Sequence, residues 1–259
     1  MGFVLYFSCA VLLFSDLSHA LLLNMPLVAR WRMMVKRGAA NKGLARARRS
    51  PFGEAPIVHR ADTAEERVFA ARISDLPQVP WEVKCLGYEE EREVAVESYR
   101  RSELAADLVD ALFDLTRRNM KALYERSSWG WSDEDKRLAF DSPSSRFFIA
   151  TLQGKLVGFA HYQFEVLEDQ AMLAPLACLY VLELQVEQEF QRRGIGRLLL
   201  QRLCSNASAM KMDRIMLCVF RYNTNALSFY KRNGFLPDES SDYNQVQNEV
   251  FEMTKSTDN

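Results

Sequence analysis

Residues 191–197 read Gln-Arg-Arg-Gly-Ile-Gly-Arg, a spacing suited to holding an anion. Gly194 and Gly196 would let a phosphate approach the backbone without a side chain in the way. Arg192, Arg193 and Arg197 add positive charge. A helix beginning here would contribute free amides and the positive end of its dipole. The loop is too short for a Walker motif and lacks the Rossmann spacing, so a pyrophosphate carried by another cofactor fits better. The competing reading is a plain strand-to-helix turn with solvated arginines. A second reactive group precedes it. Glu183 interrupts the apolar run 178–186, Cys-Leu-Tyr-Val-Leu-Glu-Leu-Gln-Val. A carboxylate there sits on the open face of a sheet or in a cleft. Desolvation would suit it to take a proton from an ammonium.

These groups need a strand before them and a helix after. Leu179 to Val186 reads as the strand, and 196–209 as the helix. Ile215 to Phe220 is a second buried strand, followed by a helix over 223–232 with Gly234 at its C-terminal cap. A strand begins at Phe235, and the 249–253 stretch can pair beside it. Upstream, Phe147 to Leu152, the Gln153-Gly154 turn and Leu156 to Val166 make a hairpin. Residues 168–175 form a loop, and 240–248 are polar. Leu104, Leu108, Leu112, Leu115, Met120 and Leu123 form a helical stripe, with Ser102 as its cap. Asp62 caps a shorter helix over 63–73, and short strand pieces lie at 83–86 and 94–96. The order implies an α/β (α+β) mixed central sheet flanked by helices.

The expected organisation is an apolar leader over 1–34, a basic arm over 35–60, packing elements over 61–96 and the main domain over 97–259. The leader carries Asp16, which a membrane helix would hold at a cost, and lacks a positive start before its apolar stretch. It reads as an upstream extension, with a signal, anchor or transit segment as alternatives. The stretch from Arg30 to Arg49 is basic without one acidic residue, which fits an import signal, a histone-chaperone contact or a weak nucleic-acid contact. The net charge of −1 excludes a molecule built wholly for nucleic acid. Five cysteines, odd in number and without metal-ligand spacing, imply reduced thiols, an intracellular protein and no metal. The expected location is the nucleus and cytoplasm.

A second motif resolves the first. Residues 223–235 read Asn-Thr-Asn-Ala-Leu-Ser-Phe-Tyr-Lys-Arg-Asn-Gly-Phe. Together with 191–196 this resembles the GNAT family of acetyl-CoA-dependent N-acetyltransferases. The resemblance implies that Gln191, Arg192, Arg193, Gly194, Ile195, Gly196 and Arg197 seat the acetyl-CoA pyrophosphate. Leu184 and Val186 would pair with pantetheine, and Asn223 would reach the cofactor arm or cap its helix. Tyr230 would protonate the leaving thiolate or pack in the core, and Glu183 would accept the amine's proton.

Further upstream, Phe113-Asp-Leu-Thr116, Asn119-Met, Leu123-Tyr-Glu125 and Trp129-Gly-Trp131 resemble the NatD branch of that family, which acetylates the α-amine of histone tails beginning Ser-Gly-Arg-Gly. The resemblance places Tyr124 and Trp129 in the walls of a peptide pocket, Tyr180 and Glu183 around the amine, and Glu165 on the peptide. Leu182 and Phe251 stand where that branch has tyrosines, and Glu165 where it has aspartate. Glu165, Glu168, Asp169, Glu183, Glu187 and Glu189 fall in a stretch without Lys or Arg, an acidic rim for a basic tail. The implied partners are histone tails and acetyl-CoA. Other amine acceptors, or a weakly catalytic acyl-CoA-binding chromatin module, are the alternatives.

Overall fold

The computed structural model describes residues 63–75, 81–84, 93–167, 175–238 and 249–257. These all fall in the second of two units, Met1–Ser50 and Pro51–Asn259. The leader, the basic arm, and residues 168–174 and 240–248 lie outside the described residues.

The elements run α1 (Ala64–Ile73), β1 (Trp81–Lys84), β2 (Glu93–Arg100), α2 (Ala106–Glu125), α3 (Asp133–Phe140), β3 (Arg146–Leu152), β4 (Lys155–Leu167) and β5 (Leu176–Val186). After these come α4 (Ile195–Ala209), β6 (Arg214–Phe220), α5 (Thr224–Arg232), β7 (Leu236–Pro237) and β8 (Val250–Ser256). The strands form one eight-stranded sheet in the order β1-β2-β3-β4-β5-β6-β8-β7. Every pairing is antiparallel except β5 with β6, which α4 connects. The mixed sheet read from the sequence is therefore present, with the last strand entering between β6 and β7.

Local chemistry explains the elements that carry the site. Gln153 and Gly154, both at positive φ (51° and 76°), make the tight turn that fixes the β3–β4 register. In α2 the apolar stripe buries Leu112 and Leu115 completely, each contributing roughly 1.5–3 kcal/mol. Two caps differ from expectation. Thr63, not Asp62, caps α1 through a reciprocal pair with Glu66. Ser102 lies in a 3-10 turn, Arg101–Glu103, closed by Glu103 accepting from the Arg100 amide, and α2 starts later without a side-chain cap.

The sheet has two differently filled faces. On one, α1 and α4 pack over Val157, Tyr162, Phe164, Leu179, Val181, Ile215 and Leu217. On the other, α2 and α3 cover Phe147, Ile149 and Phe159, with Phe140 at the centre of that smaller cluster. Between β4 and β5 the register reads His161↔Glu183 and then Tyr162↔Val181, so Leu182 is the extra residue of a β-bulge. Without the bulge, alternation would put Glu183 on the face of Leu179 and Val181. With it, Glu183 shares the α2–α3 face with Tyr180.

Candidate active site

The bulge also marks where the sheet opens. Parallel pairing of β5 with β6 runs from Cys178↔Arg214 to Val181↔Leu217 and then stops. Both strands continue, β5 to Val186 and β6 to Phe220, without pairing to each other. The result is a wedge between their ends, one wall of which is the backbone of Leu184 and Val186. The Val186 carbonyl accepts from the side-chain amides of Asn119 and Gln191, each at 3.2 Å.

At the end of β5 a 3-10 turn, Gln188–Phe190, leads into the glycine loop. Gly194 is the N-cap of α4 at φ 90°, a left-handed conformation that favours glycine. Among the described residues no side chain caps this helix, and none lies within 4 Å of where a Gly194 Cβ would point. Arg192, Gly194 and Arg197 are exposed, and Arg193 lies with its guanidinium 5.8 Å from the Phe190 ring centroid. Ile195 is buried, while Gly196 packs beside Phe229 and Leu184. Open amides, flanking cations and the adjoining wedge form one continuous seat for a phosphate-bearing chain.

On the α2–α3 face beside the wedge lies a buried polar cluster. Glu183 is 6% exposed. Its Oε1 accepts from Lys136 Nζ at 2.6 Å and its Oε2 from Gln185 Nε2 at 2.8 Å. Asn119 donates to the Gln185 side-chain oxygen, Oε1, at 3.1 Å. Lys136 also donates to the Tyr124 hydroxyl at 2.8 Å and lies 4.4 Å over that ring. Burial works against the Lys136 ammonium, but Glu183 and Tyr124 outweigh it and hold its pKa above the usual lysine range. Burial, opposed by Lys136, pushes the Tyr124 hydroxyl upward. Around Tyr124 stand Phe220 at 5.0 Å, Trp131 at 5.5 Å and Trp129 at 6.3 Å between ring centroids. Gly130, at φ 65°, makes the turn that brings both tryptophans to one tyrosine. Ser128 ties this turn to Glu249 at the foot of β8. The Tyr180 hydroxyl lies 3.2 Å from the Cys218 sulfur. A carboxylate beside aromatic faces suits a cation and can take its proton, and in this structure the cation between them is the Lys136 ammonium.

The family model described as Acetyltransferase (GNAT) family matches residues 116–235, from the middle of α2 to the end of the Asn223–Phe235 motif. This segment belongs to the GNAT acetyltransferase family. Several solved structures are similar. The ribosomal-protein-S18-alanine N-acetyltransferase of Escherichia coli is 18% identical, with TM-score 0.45, covering 63% of this chain and 95% of that one. The paia N-acetyltransferase of Thermoplasma acidophilum in complex with coenzyme A is 19% identical, with TM-score 0.45, covering 62% and 98%. Naa50 of Arabidopsis thaliana, in complex with the bisubstrate analogue CoA-Ac-MVNAL, is 21% identical, with TM-score 0.44, covering 62% and 98%.

The GNAT segment's residues fit acetyl-CoA as co-substrate, through the first turn of α4, the loop arginines and the end of β5 that has parted from β6. Asn223 is the N-cap of α5, its side chain accepting from the Ala226 amide at 3.2 Å. Tyr230 is buried between Phe229 and Phe235, with centroids at 5.2 Å and 5.7 Å. Burial and then the charge of Glu183 hold its hydroxyl well above the usual tyrosine range, so it keeps its proton.

Tyr124, Trp129, Tyr180 and Glu183 come together on the α2–α3 face. Glu165 shares that face by register, but its carboxylate accepts from Arg72 of α1 at 3.1 Å. Burial raises its pKa and Arg72 opposes the rise. Phe251 does not join them. It pairs with Val219, packs on the α4–α5 side and lies under Arg221, with the cation 3.9 Å from its ring centroid. Strand alternation puts its neighbours Val250 and Glu252, not Phe251, on the pocket face. The acidic rim also looks different. Glu165, Glu183, Glu187 and Glu189 each meet a cation, namely Arg72, Lys136, Arg118 and Lys155. Glu168 and Asp169 lie outside the described residues. These cations all lie outside residues 156–191, so the acids look unopposed along the sequence. Lys136, Trp131, Phe220, Asn119 and Gln185 were missed. Of these, Trp131 and Asn119 lie within motif pieces legible in the sequence, Trp129-Gly-Trp131 and Asn119-Met120.

Proposed function

We propose that the protein is an N-α-acetyltransferase acting on histone tails beginning Ser-Gly-Arg-Gly. The observation that supports this reading most is the aromatic recess of Tyr124, Trp129, Trp131 and Phe220 set over Glu183, beside the wedge. A free N-terminal ammonium entering the recess meets aromatic faces and one carboxylate. Bound acetyl-CoA supplies an activated acyl carbon. Glu183 takes a proton from the ammonium, directly or through water, and the neutral amine forms the new C–N bond as the C–S bond breaks. Tyr230, protonated at neutral pH, gives its proton to the leaving sulfur and regains one from the second proton that the newly acylated nitrogen sheds, relayed by solvent. Transfer is direct, in a ternary complex, without an acyl-enzyme. The histone end of the reading rests on the Phe113 to Trp131 pattern, since the described acids are already ion-paired.

A second reading, acetylation of lysine side chains, is favoured by one observation: a lysine ammonium, that of Lys136, sits between Glu183 and Tyr124. The two separate in one kinetic panel of Ser-Gly-Arg-Gly peptides, free or blocked at the N-terminus. Turnover of the free peptides alone supports the α-amine, and equal turnover of blocked lysine-containing peptides overturns it. Glu183→Gln should lower turnover roughly 100-fold or more if the carboxylate is the base. Acetyl-CoA binding without any turnover by the unaltered protein would point instead to a binding module.

A further inference from the structure

Lys136 brings an ammonium from α3 into the acceptor pocket, and the chemistry above does not use it. It is strongly committed there. Its side chain is 17% exposed, donates to Glu183 and Tyr124, and faces the Tyr124 and Trp131 rings at 4.4 and 5.9 Å. Glu183 is fixed from its other oxygen by Gln185, which Asn119 holds in turn. The chain from α2 through β5 to α3 therefore sets the direction in which the carboxylate points.

Resting on Glu183 as the base for the acceptor amine, we infer that Lys136 is a positioning residue that aims this carboxylate and supplies the cation that compensates its burial. An ammonium in contact with a buried carboxylate favours the charged form of both. Removing it leaves the carboxylate buried and uncompensated. The other titratable groups around Glu183 do not replace that charge. Tyr124 from α2 and Tyr230 from α5 are held above the ordinary tyrosine range by burial. His161 on β4, opposite Glu183 in register, is pushed down to about 3 by burial and then by Lys136, and is neutral. Tyr180 along β5 and Cys218 on β6 pair with each other.

The test is the pH dependence of kcat/KM on a free-amine Ser-Gly-Arg-Gly peptide, using the full chain. Lys136→Met should move the acid limb of the profile upward by about one unit or more. Lys136→Arg should leave the limb in place. An unmoved limb in Lys136→Met overturns the inference. So does a lower peptide KM with an unmoved limb, which would make Lys136 an ammonium that the substrate displaces. Should Lys136→Met fail to fold cooperatively, Lys136→Gln takes its place in the same comparison. A second readout needs no turnover. In carboxyl-labelled protein, with Glu183→Gln assigning the signal, removal of the lysine should carry the Glu183 titration to higher pH. If Glu183→Gln retains full activity, the base assignment falls, and the carboxyl titration still decides the Lys136–Glu183 pair.

Discussion

Gly158→Ala tests how closely β4 must approach β5 beneath the cofactor wedge. A Cβ at this position would lie 2.8 Å from the Gln185 carbonyl oxygen and 3.4 Å from both Ile195 Cγ2 and Val186 Cα. The first contact is with backbone, which cannot rotate away. Gly158 faces Val186 across the ladder, so relief requires β4 and β5 to part at the base of the wedge. Overpacking of this kind costs about 1–3 kcal/mol. For a domain of this size that lowers Tm by about 2–12 °C. Gln185 and Val186 also belong to the β5 end that borders the seat, so the rise in Tm produced by added CoA should shrink too. The assay is a thermal melt of Gly158→Ala and the unaltered protein, each with and without saturating CoA. A melting point and CoA response equal to those of the unaltered protein would refute the close approach at Gly158.

Other expectations follow from the same geometry. Gly194→Ala and Gly154→Ala each force a side chain into positive φ with open space around it, so each should cost about 1–2 kcal/mol in denaturant unfolding. Only Gly194→Ala should weaken CoA binding by calorimetry, and an equal loss in Gly154→Ala would contradict the seat at α4. Asn223→Ala should cost about 1 kcal/mol as a lost cap. Asn223→Ser should restore it with CoA affinity unchanged, and reduced affinity in the serine variant would assign Asn223 to the cofactor. His161 has a folded pKa near about 3, below its ordinary 6.5, so between these values the unfolded chain binds the extra proton. Stability should therefore fall as pH drops through that window, by up to about 1.4 kcal/mol per unit from this group. His161→Gln should flatten that slope in urea unfolding, and an unchanged slope would show that His161 does not titrate on unfolding.

The sequence was most legible where chemistry is local. The strand, glycine loop and helix around 191–197 follow from apolar periodicity and two glycines. The hairpin follows from Gln153-Gly154, and the α5 boundaries from Asn223 and Gly234. What needed coordinates is non-local. Simple alternation puts Glu183 on the wrong face, because nothing in the local pattern announces that Leu182 will bulge. Lys136 lies 47 residues before its partner, on a separate short helix. Arg72 reaches Glu165 across 93 residues, so a carboxylate that looks unopposed in sequence is neutralised in the fold. Phe251 follows the alternation of β8, whose register with β6 is set by long-range pairing.

The most direct measurement is a fragmentation mass spectrum of a Ser-Gly-Arg-Gly histone-tail peptide after incubation with the protein and acetyl-CoA. A single added acetyl group on the α-amine of the first serine is the expected result. Acetyl groups on lysine side chains with a free N-terminus would contradict it.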